Sequence, residues 1–220
     1  VSFDPSSAQR ASVTSEFVDQ LLRGEDIIDA NNGDAVPSRT TWLSRTTVDS
    51  DGVSLLRDFG IQSLVLLPQA ALPLGTLDNY ARAYRVSSSS RGTSNAVTLF
   101  ISDPTYAREI SGTHENPVLD AYRIAAELLA ERNEVVRADG DPTTRFKVLS
   151  TNSGDVQDPT LMGRLAIALD HAPQLVLLAL SEARISGVDA TTIVLPHTTR
   201  VDLVETRDSL ASLLKEIRST

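Results

Sequence analysis

Three acidic residues follow apolar stretches of the sequence that have the character of buried strands. Asp4 stands in Phe-Asp-Pro, Asp103 stands in Ile-Ser-Asp-Pro, and Glu182 follows the apolar run 175–180. Two carboxylates about 5 to 9.5 Å apart can act as general acid and as base or nucleophile on a glycosidic bond. The catalytic candidates of a carbohydrate-active hydrolase are therefore Asp4, Asp103 and Glu182.

Helix capping is the alternative interpretation of the two aspartates. An aspartate directly before a proline commonly caps the helix that follows, because its carboxylate accepts hydrogen bonds from the first free backbone N–H groups. Asp158-Pro159 repeats the pattern at a place where nothing indicates catalysis. Both interpretations remain open at the level of the sequence.

Four further residues stand near the ends of predicted strands, where α/β proteins form their sites. A tryptophan there can stack on a sugar ring, although such a residue more often belongs to the core. The other three offer a guanidinium or an amide group to a polar ligand. The ligand-binding candidates are Trp42, Arg45, Gln69 and Asn152.

No pattern in the sequence indicates a metal or a cofactor. The three histidines, His114, His171 and His197, are far apart, and the chain has no cysteine. Ser212 and Lys215 have the spacing of a serine–lysine acyl-enzyme motif, but its companion motifs are missing. The glycine-rich phosphate loops and the Gly-x-Ser-x-Gly elbow are missing too. We expect neither a metal site nor a cofactor.

The composition predicts a soluble chain with a normal core and an acidic surface. Hydrophobic residues make up 41% of its 220 residues, and 20 basic residues against 29 acidic ones give a net charge of -9. Sequence-independent binding to nucleic acid needs clustered Lys and Arg, so we expect no nucleic-acid partner. The apolar runs are far shorter than the roughly 20 residues of a membrane span, so we expect no direct membrane insertion.

The clearest structural unit lies between Val48 and Pro68. Apolar residues three apart between 51 and 59 fall on one face of a helix, and Gly60 can close that helix. The run 61–68 is almost wholly apolar, as in a strand that is covered on both faces. These features predict the helix and second strand of a β-α-β unit.

Weaker units of the same kind precede and follow it. A first helix is predicted from Ser6 or Ser7 to Arg23, where Gly24 ends it. Another is predicted from Asn116 to about Arg132, with an apolar face that includes Val118, Leu119 and Tyr122. Further helices are predicted near Tyr106, after Asp158 and over 203–217. The predicted strands are 1–4, 39–43, 61–68, 96–102, 145–150, 175–180 and 192–195. For the short run 175–180, a buried helical turn is the alternative.

Strands that alternate with amphipathic helices predict an α/β fold with a mostly parallel sheet. A complete eight-fold barrel takes about 250 residues, and the chain has too few strand–helix pairs for one. We therefore expect a single domain over 1–220 with a partial or distorted (β/α) barrel. The alternative is an open doubly wound sheet. Residues 69–95, with Pro73, Gly75 and the serine-rich run 87–94, are expected to form an exposed excursion, such as a hairpin.

Several segments together resemble the central region of an uncharacterised family of large actinobacterial envelope proteins. The segments that carry the resemblance are Trp42 with its following helix, 60–68, 99–103, 116–129 and 165–176. Members of that family typically carry a signal peptide and a C-terminal membrane anchor, and their central region looks like a divergent polysaccharide-deacetylase or glycosidase barrel. The resemblance implies an extracytoplasmic location in the cell envelope.

The resemblance also bears on the chemistry. Ser2-Phe3-Asp4 is similar to the Thr-Phe-Asp-Asp that opens the deacetylase motif, but Pro5 replaces the second aspartate and no His-x-x-x-His follows. A deacetylase metal site is therefore not implied. We expect a non-catalytic module that binds a cell-wall glycan or an envelope protein. The alternative is a hydrolase that uses the strand-end carboxylates.

Overall fold

The computed structural model of the protein describes residues 4–32, 40–71, 80–86, 96–155, 158–178, 180, 191–193 and 195. Short strands and helices alternate along these parts of the chain. The helices are α1 (Pro5–Arg10), α2 (Thr14–Asn32), α3 (Ser50–Asp58), α4 (Pro68–Ala71), α5 (Pro104–Ile110), α6 (Pro117–Arg137) and α7 (Pro159–Asp170), with a 3-10 turn at Pro142–Thr144. The strands are β1 (Thr41–Ser44), β2 (Ser63–Leu66), β3 (Tyr84–Val86), β4 (Val97–Ile101) and β5 (Thr191–Ile193).

The described strands form one open, mixed sheet in the order β1-β2-β4-β3-β5. Three of the four pairings are parallel, and β3 runs antiparallel to β4. The prediction of an α/β fold with a mostly parallel sheet is confirmed. The partial or distorted barrel is not confirmed, because among the described strands β1 and β5 lie at opposite ends of the order and do not pair with each other.

One face of the sheet packs against the N-terminal helices. Leu64 and Leu66 of β2 and Leu99 and Ile101 of β4 are buried there against side chains of α1, α2 and α3. These residues alternate along their strands, as expected when one face turns toward a helical layer. We call this cluster the sheet core.

Two smaller apolar clusters complete the interior of the described part. On the second face of the sheet, Val65 and Phe100 contact Phe146, Val148 and Leu180. Away from the sheet, helices α5, α6 and α7 pack together through a separate set of buried side chains. This helical core includes Tyr106, Ile110, Ala121, Ile124, Leu128, Leu161 and Leu165.

The first predicted helix differs from the structure. It is interrupted at Ser12, which has a φ of 56°, so that α1 and α2 are separate helices. Gly24 does not end α2, which continues to Asn32. A glycine inside a helix costs only about 1 kcal/mol relative to alanine, so a single Gly is a weak stop signal.

The predicted strand at 145–150 is wrong. Only an isolated bridge between Ser102 and Val148 is found there. The sides of β4 are occupied by β2 and by β3 over most of its length. The segment 145–150 meets the strand only next to its carboxyl end, where the contact is limited to this single bridge.

The prediction of a strand at 175–180 is also wrong for the residues described. Residues 176–178 have no regular structure, and their side chains are exposed. A β-prone sequence forms a strand only when it finds an edge to pair with and a surface to cover it. No described strand pairs with this segment.

The buried face of α6 differs from the predicted one. Val118, Leu119 and Tyr122 are exposed, and a neighbouring face with Ile124 and Leu128 packs into the helical core. The helix has apolar residues on both of these faces, so periodicity alone could not choose between them.

Most other elements agree with the sequence analysis. The structure contains counterparts of four predicted helices, those near 51, 104, 116 and 159. It also contains counterparts of the strands predicted at 39–43, 61–68, 96–102 and 192–195. The excursion at 69–95 contains α4 and β3, and β3 pairs with β4 as in a hairpin. Tyr84 and Val86 of β3 are buried, which differs from the expected exposure. Residues 1–3 of the strand predicted at 1–4, and the whole helix predicted at 203–217, lie outside the described residues.

None of the described helices combines the length and the apolar character needed to cross a membrane.

Candidate functional site

The carboxyl ends of β1, β2 and β4 lie at one edge of the sheet because these three strands are parallel. The residues that follow them are Arg45, Leu67 and Ser102, and we call this region the carboxyl edge. Ligands of open α/β sheets bind in crevices at such edges. A ligand site is therefore expected at the carboxyl edge.

Residues 148–155 pack along the carboxyl edge as a connecting segment. Ser150 Oγ lies 2.6 Å from Ser102 Oγ, and the backbone N–H of Asn152 donates to Ser111 Oγ at 2.7 Å. Gly154 has a φ of 81°, and a Cβ there would lie 2.6 Å from Leu43 Cδ2. Glycine at this position thus allows the close approach of the segment to β1.

Arg45 lies at the carboxyl edge as the sequence analysis predicted. Its Nη2 donates to both carboxylate oxygens of Asp155 at 2.9 Å. Both side chains are more than half exposed, so the ion pair is screened by water and is easily exchanged for contacts with a ligand. The pair offers a cationic and an anionic group next to each other.

Gln69 and Asn152 are the two amides predicted for ligand binding. Gln69 lies in α4 directly after β2 and is exposed, and Asn152 is half-buried in the segment 148–155. Within the described part of the chain, neither side-chain amide makes a hydrogen bond. Both amides are therefore available to a polar ligand.

Trp42 packs at the core, which was the alternative to stacking on a sugar ring. Its ring packs 5.6 Å from the ring of Phe17, and it is a partly buried neighbour of the sheet core. The ring therefore connects β1 to α2. This contact explains a tryptophan at position 42 without a ligand.

Asp4 caps α1. Its Oδ1 accepts a hydrogen bond from the backbone N–H of Ser6 at 3.0 Å, and its Oδ2 accepts one from Ser7 Oγ at 2.5 Å. The capped helix lies against the start of α3, where Ser6 Oγ accepts from the backbone N–H of Asp49 at 3.0 Å. Both oxygens of the Asp4 carboxylate thus hold the first turn of a helix.

Asp103 caps α5 and also takes part in a charged network. Its Oδ1 accepts from the backbone N–H of Thr105 at 2.9 Å, and its Oδ2 lies 2.5 Å from Lys147 Nζ. The same ammonium lies 3.0 Å from Glu131 and 5.3 Å from the centre of the Tyr106 ring. Tyr106 donates its hydroxyl to Glu131 at 2.9 Å.

Burial and charge shift the pKa of two members of this network. Burial lowers the pKa of Lys147, but hydrogen bonds and attraction from Asp103 and Glu131 outweigh it, so the pKa is raised overall. Burial first, and then the hydrogen bond to Glu131, raise the pKa of Tyr106. At neutral pH Lys147 is therefore an ammonium and Tyr106 is a neutral phenol. Neither group is in the deprotonated form that a general base requires.

Lys147, Glu131 and Tyr106 were not predicted as site residues from the sequence. One signal was available, because Lys147 and Lys215 are the only lysines in a chain whose other basic residues are arginine. The contact between Lys147 and Asp103 spans 44 positions of the sequence, and no local pattern predicts such a pairing.

The remaining candidates are Glu182 and the three histidines. Glu182 and His197 lie outside the described residues. His114 contacts Asp120 at 3.0 Å, and His171 Nδ1 lies 2.8 Å from the carbonyl of Ile167 at the end of α7. Among the side chains that the structure describes, no group of three His, Cys, Asp or Glu residues could hold a metal ion.

Comparison of the sequence with protein-family models finds none that matches, and comparison with curated proteins gives no significant match.

Proposed function

We propose that the protein is a non-catalytic module of an extracytoplasmic envelope protein that binds a cell-wall glycan at the carboxyl edge. The observation that carries the proposal is the use of both described candidate carboxylates as helix caps. Asp4 holds α1, while Asp103 holds α5 and is paired with Lys147. A glycosidase needs two carboxylates that face one substrate.

The chemistry of the carboxyl edge supports a glycan as the ligand. Sugar hydroxyls both donate and accept hydrogen bonds, and the edge presents groups of both kinds in Arg45, Asp155 and two amides. The location in the envelope rests on the resemblance of the sequence alone.

Thermal unfolding in the presence of soluble muropeptides and cell-wall polysaccharides tests the proposal. A ligand at about a hundred times its Kd adds about 2.7 kcal/mol to the free energy of unfolding, which is readily measured. Arg45→Ala should weaken binding roughly five- to tenfold, because it removes a charged hydrogen-bonding group. Arg123→Ala is the matched control, since Arg123 is a similarly exposed, ion-paired arginine on α6.

The hydrolase alternative is tested in the same samples by measuring released reducing ends. Asp4→Asn is the informative variant, because asparagine caps a helix about as well as aspartate but cannot act as an acid or a nucleophile. Glycan cleavage that this variant abolishes would contradict a non-catalytic role. If no glycan stabilises the chain, binding of a protein partner becomes the better account.

A further inference from the structure

The ion pair of Arg45 and Asp155 uses only one nitrogen of the guanidinium group. Nη2 of Arg45 donates to both carboxylate oxygens of Asp155 at 2.9 Å. The stronger arrangement of an arginine and a carboxylate is a fork of two parallel N–H···O bonds from two different nitrogens. A guanidinium forms such a fork with Nε and Nη2 or with Nη1 and Nη2. Asp155 therefore occupies the nitrogen that both forks need.

The other two nitrogens of Arg45 are open to a ligand. Neither Nε nor Nη1 makes a hydrogen bond within the part of the chain that the structure describes, and the side chain is 52% exposed. These two nitrogens carry three of the five N–H donors of a guanidinium. A ligand carboxylate that engages them in a fork must also take Nη2, and it thereby displaces Asp155.

Displacement of Asp155 requires only its side chain to move. The backbone carbonyl of Asp155 accepts from Thr151 Oγ1 at 2.7 Å, and Thr151 is buried, so the backbone stays at the carboxyl edge. The Asp155 side chain is 68% exposed, and its carboxylate is hydrated once it leaves Arg45. Because an exposed ion pair contributes little to stability, its exchange for another contact costs little.

A ligand with a negative charge gains more from this exchange than a neutral ligand. A sugar hydroxyl that takes Nη2 from Asp155 replaces a contact between opposite charges with a contact that lacks this attraction. A sugar carboxylate keeps the attraction and replaces a contact from one nitrogen with a fork from two. Both oxygens of Asp155 then become free to accept hydrogen bonds from the hydroxyls of the same glycan.

We propose that the glycan bound at the carboxyl edge carries a carboxylate group, and that this group replaces Asp155 on Arg45. This inference rests on the proposed function and names the class of glycan that the same site takes. Asp155 acts as an internal competitor, which neutralises Arg45 while the site is empty and selects against glycans without a charge.

The net charge of -9 acts on an anionic ligand only at long range. At 0.15 M ionic strength salt screens such repulsion over about 8 Å, whereas direct contact with a guanidinium is screened much less. The exchange of one carboxylate for another also leaves Arg45 neutralised. Contacts at Arg45 therefore decide which glycan binds.

Titration of the full chain with two matched disaccharides tests the proposal. The first is N-acetylglucosaminyl-N-acetylmuramic acid, which carries one carboxylate, and the second is the same disaccharide with that group converted to a carboxamide. Calorimetry at 0.15 M salt and pH 7 should give an affinity about fivefold higher for the acid than for the amide.

Three variants test the role of each partner in this preference. Asp155→Asn should raise the preference for the acid about two- to threefold, because it removes the competing charge. Arg45→Ala should abolish the preference, and Arg45→Lys should keep only part of it, since an ammonium cannot form a fork. Arg123→Ala is the matched control and should leave the preference unchanged, because Arg123 lies on α6 in ion pairs of its own.

Equal affinities for acid and amide overturn the proposal but leave glycan binding, the proposed function, in place. A preference for the acid that Asp155→Asn leaves unchanged or lowers overturns the role of Asp155 as a competitor. If neither disaccharide binds while a neutral wall polysaccharide does, the carboxylate is excluded and the proposed function again stands. If no wall glycan binds, both proposals fall.

Discussion

Aspartate and asparagine before proline start helices throughout this protein. Asp4, Asp103, Asp141, Asp158 and Asn116 each accept a hydrogen bond from a backbone N–H in the turn that follows. The proline needs no partner for a backbone N–H, because it has none, and its fixed φ suits the first helical position. This common role weighs against a special chemical role for Asp4 and Asp103.

Asp103 differs from the other caps in having a cation beside it. We predict that Lys147→Met lowers the free energy of unfolding by about 2 to 3 kcal/mol, because the buried carboxylate of Asp103 loses its counter-charge while the apolar stem is kept. Arg45→Met, which breaks an exposed ion pair, should cost less than about 1 kcal/mol. Urea denaturation of the two variants at pH 7 measures the difference.

The cost of Lys147→Met should also depend on pH. The folded-state pKa of Lys147 is raised above the unfolded value, so its stabilising effect is complete below about pH 10.4 and is lost as the pH rises through the folded pKa. The gap between wild type and variant should therefore narrow at strongly alkaline pH. A gap that is unchanged there would contradict the assignment of this stabilisation to the charge of Lys147.

At the scale of elements, the contact between α1 and α3 depends on a glycine. A Cβ at Gly52 would lie 2.9 Å from the backbone N of Ser6 and 2.9 Å from Val48 Cγ1, which is too close. Gly52→Ala should lower stability by about 1 to 3 kcal/mol because the helices must move apart. Gly163→Ala in α7 has open space, and should raise stability by about 0.5 to 1 kcal/mol. Thermal unfolding of both variants checks the opposite signs.

Local patterns predicted the elements whose signals are local. Each Asx-Pro helix start is contained within a few residues of the sequence, and so is the apolar run of β2. The corresponding helices and strand are found in the structure. The segments 145–150 and 175–180 failed because strand formation depends on which edges of the sheet are free. For the candidate site, the sequence placed Arg45 at a strand end, but it could not show that Trp42 packs on Phe17 or that Lys147 reaches Asp103.

At the scale of the whole molecule, the sheet core and the helical core are joined through a short junction. Only Ser102 and Asp103 separate β4 from α5, and each contacts the segment 145–150. Ser102 meets Ser150, and Asp103 meets Lys147, which also reaches Glu131 of α6. We expect contacts of this kind to couple the unfolding of one core to that of the other, as in a single domain.

Cooperative unfolding follows from this connection, and Trp42 provides the means to observe it. As the only tryptophan, Trp42 reports on the sheet core through its fluorescence, while far-UV circular dichroism includes the signal of α6 and α7. Ile124→Ala creates a cavity in the helical core and should cost about 2 to 5 kcal/mol. If the two cores unfold as one unit, this variant shifts the urea midpoints of both signals equally, as does Leu64→Ala in the sheet core. Loss of the dichroism signal before that of Trp42 would instead divide the chain into two units and would contradict the single domain.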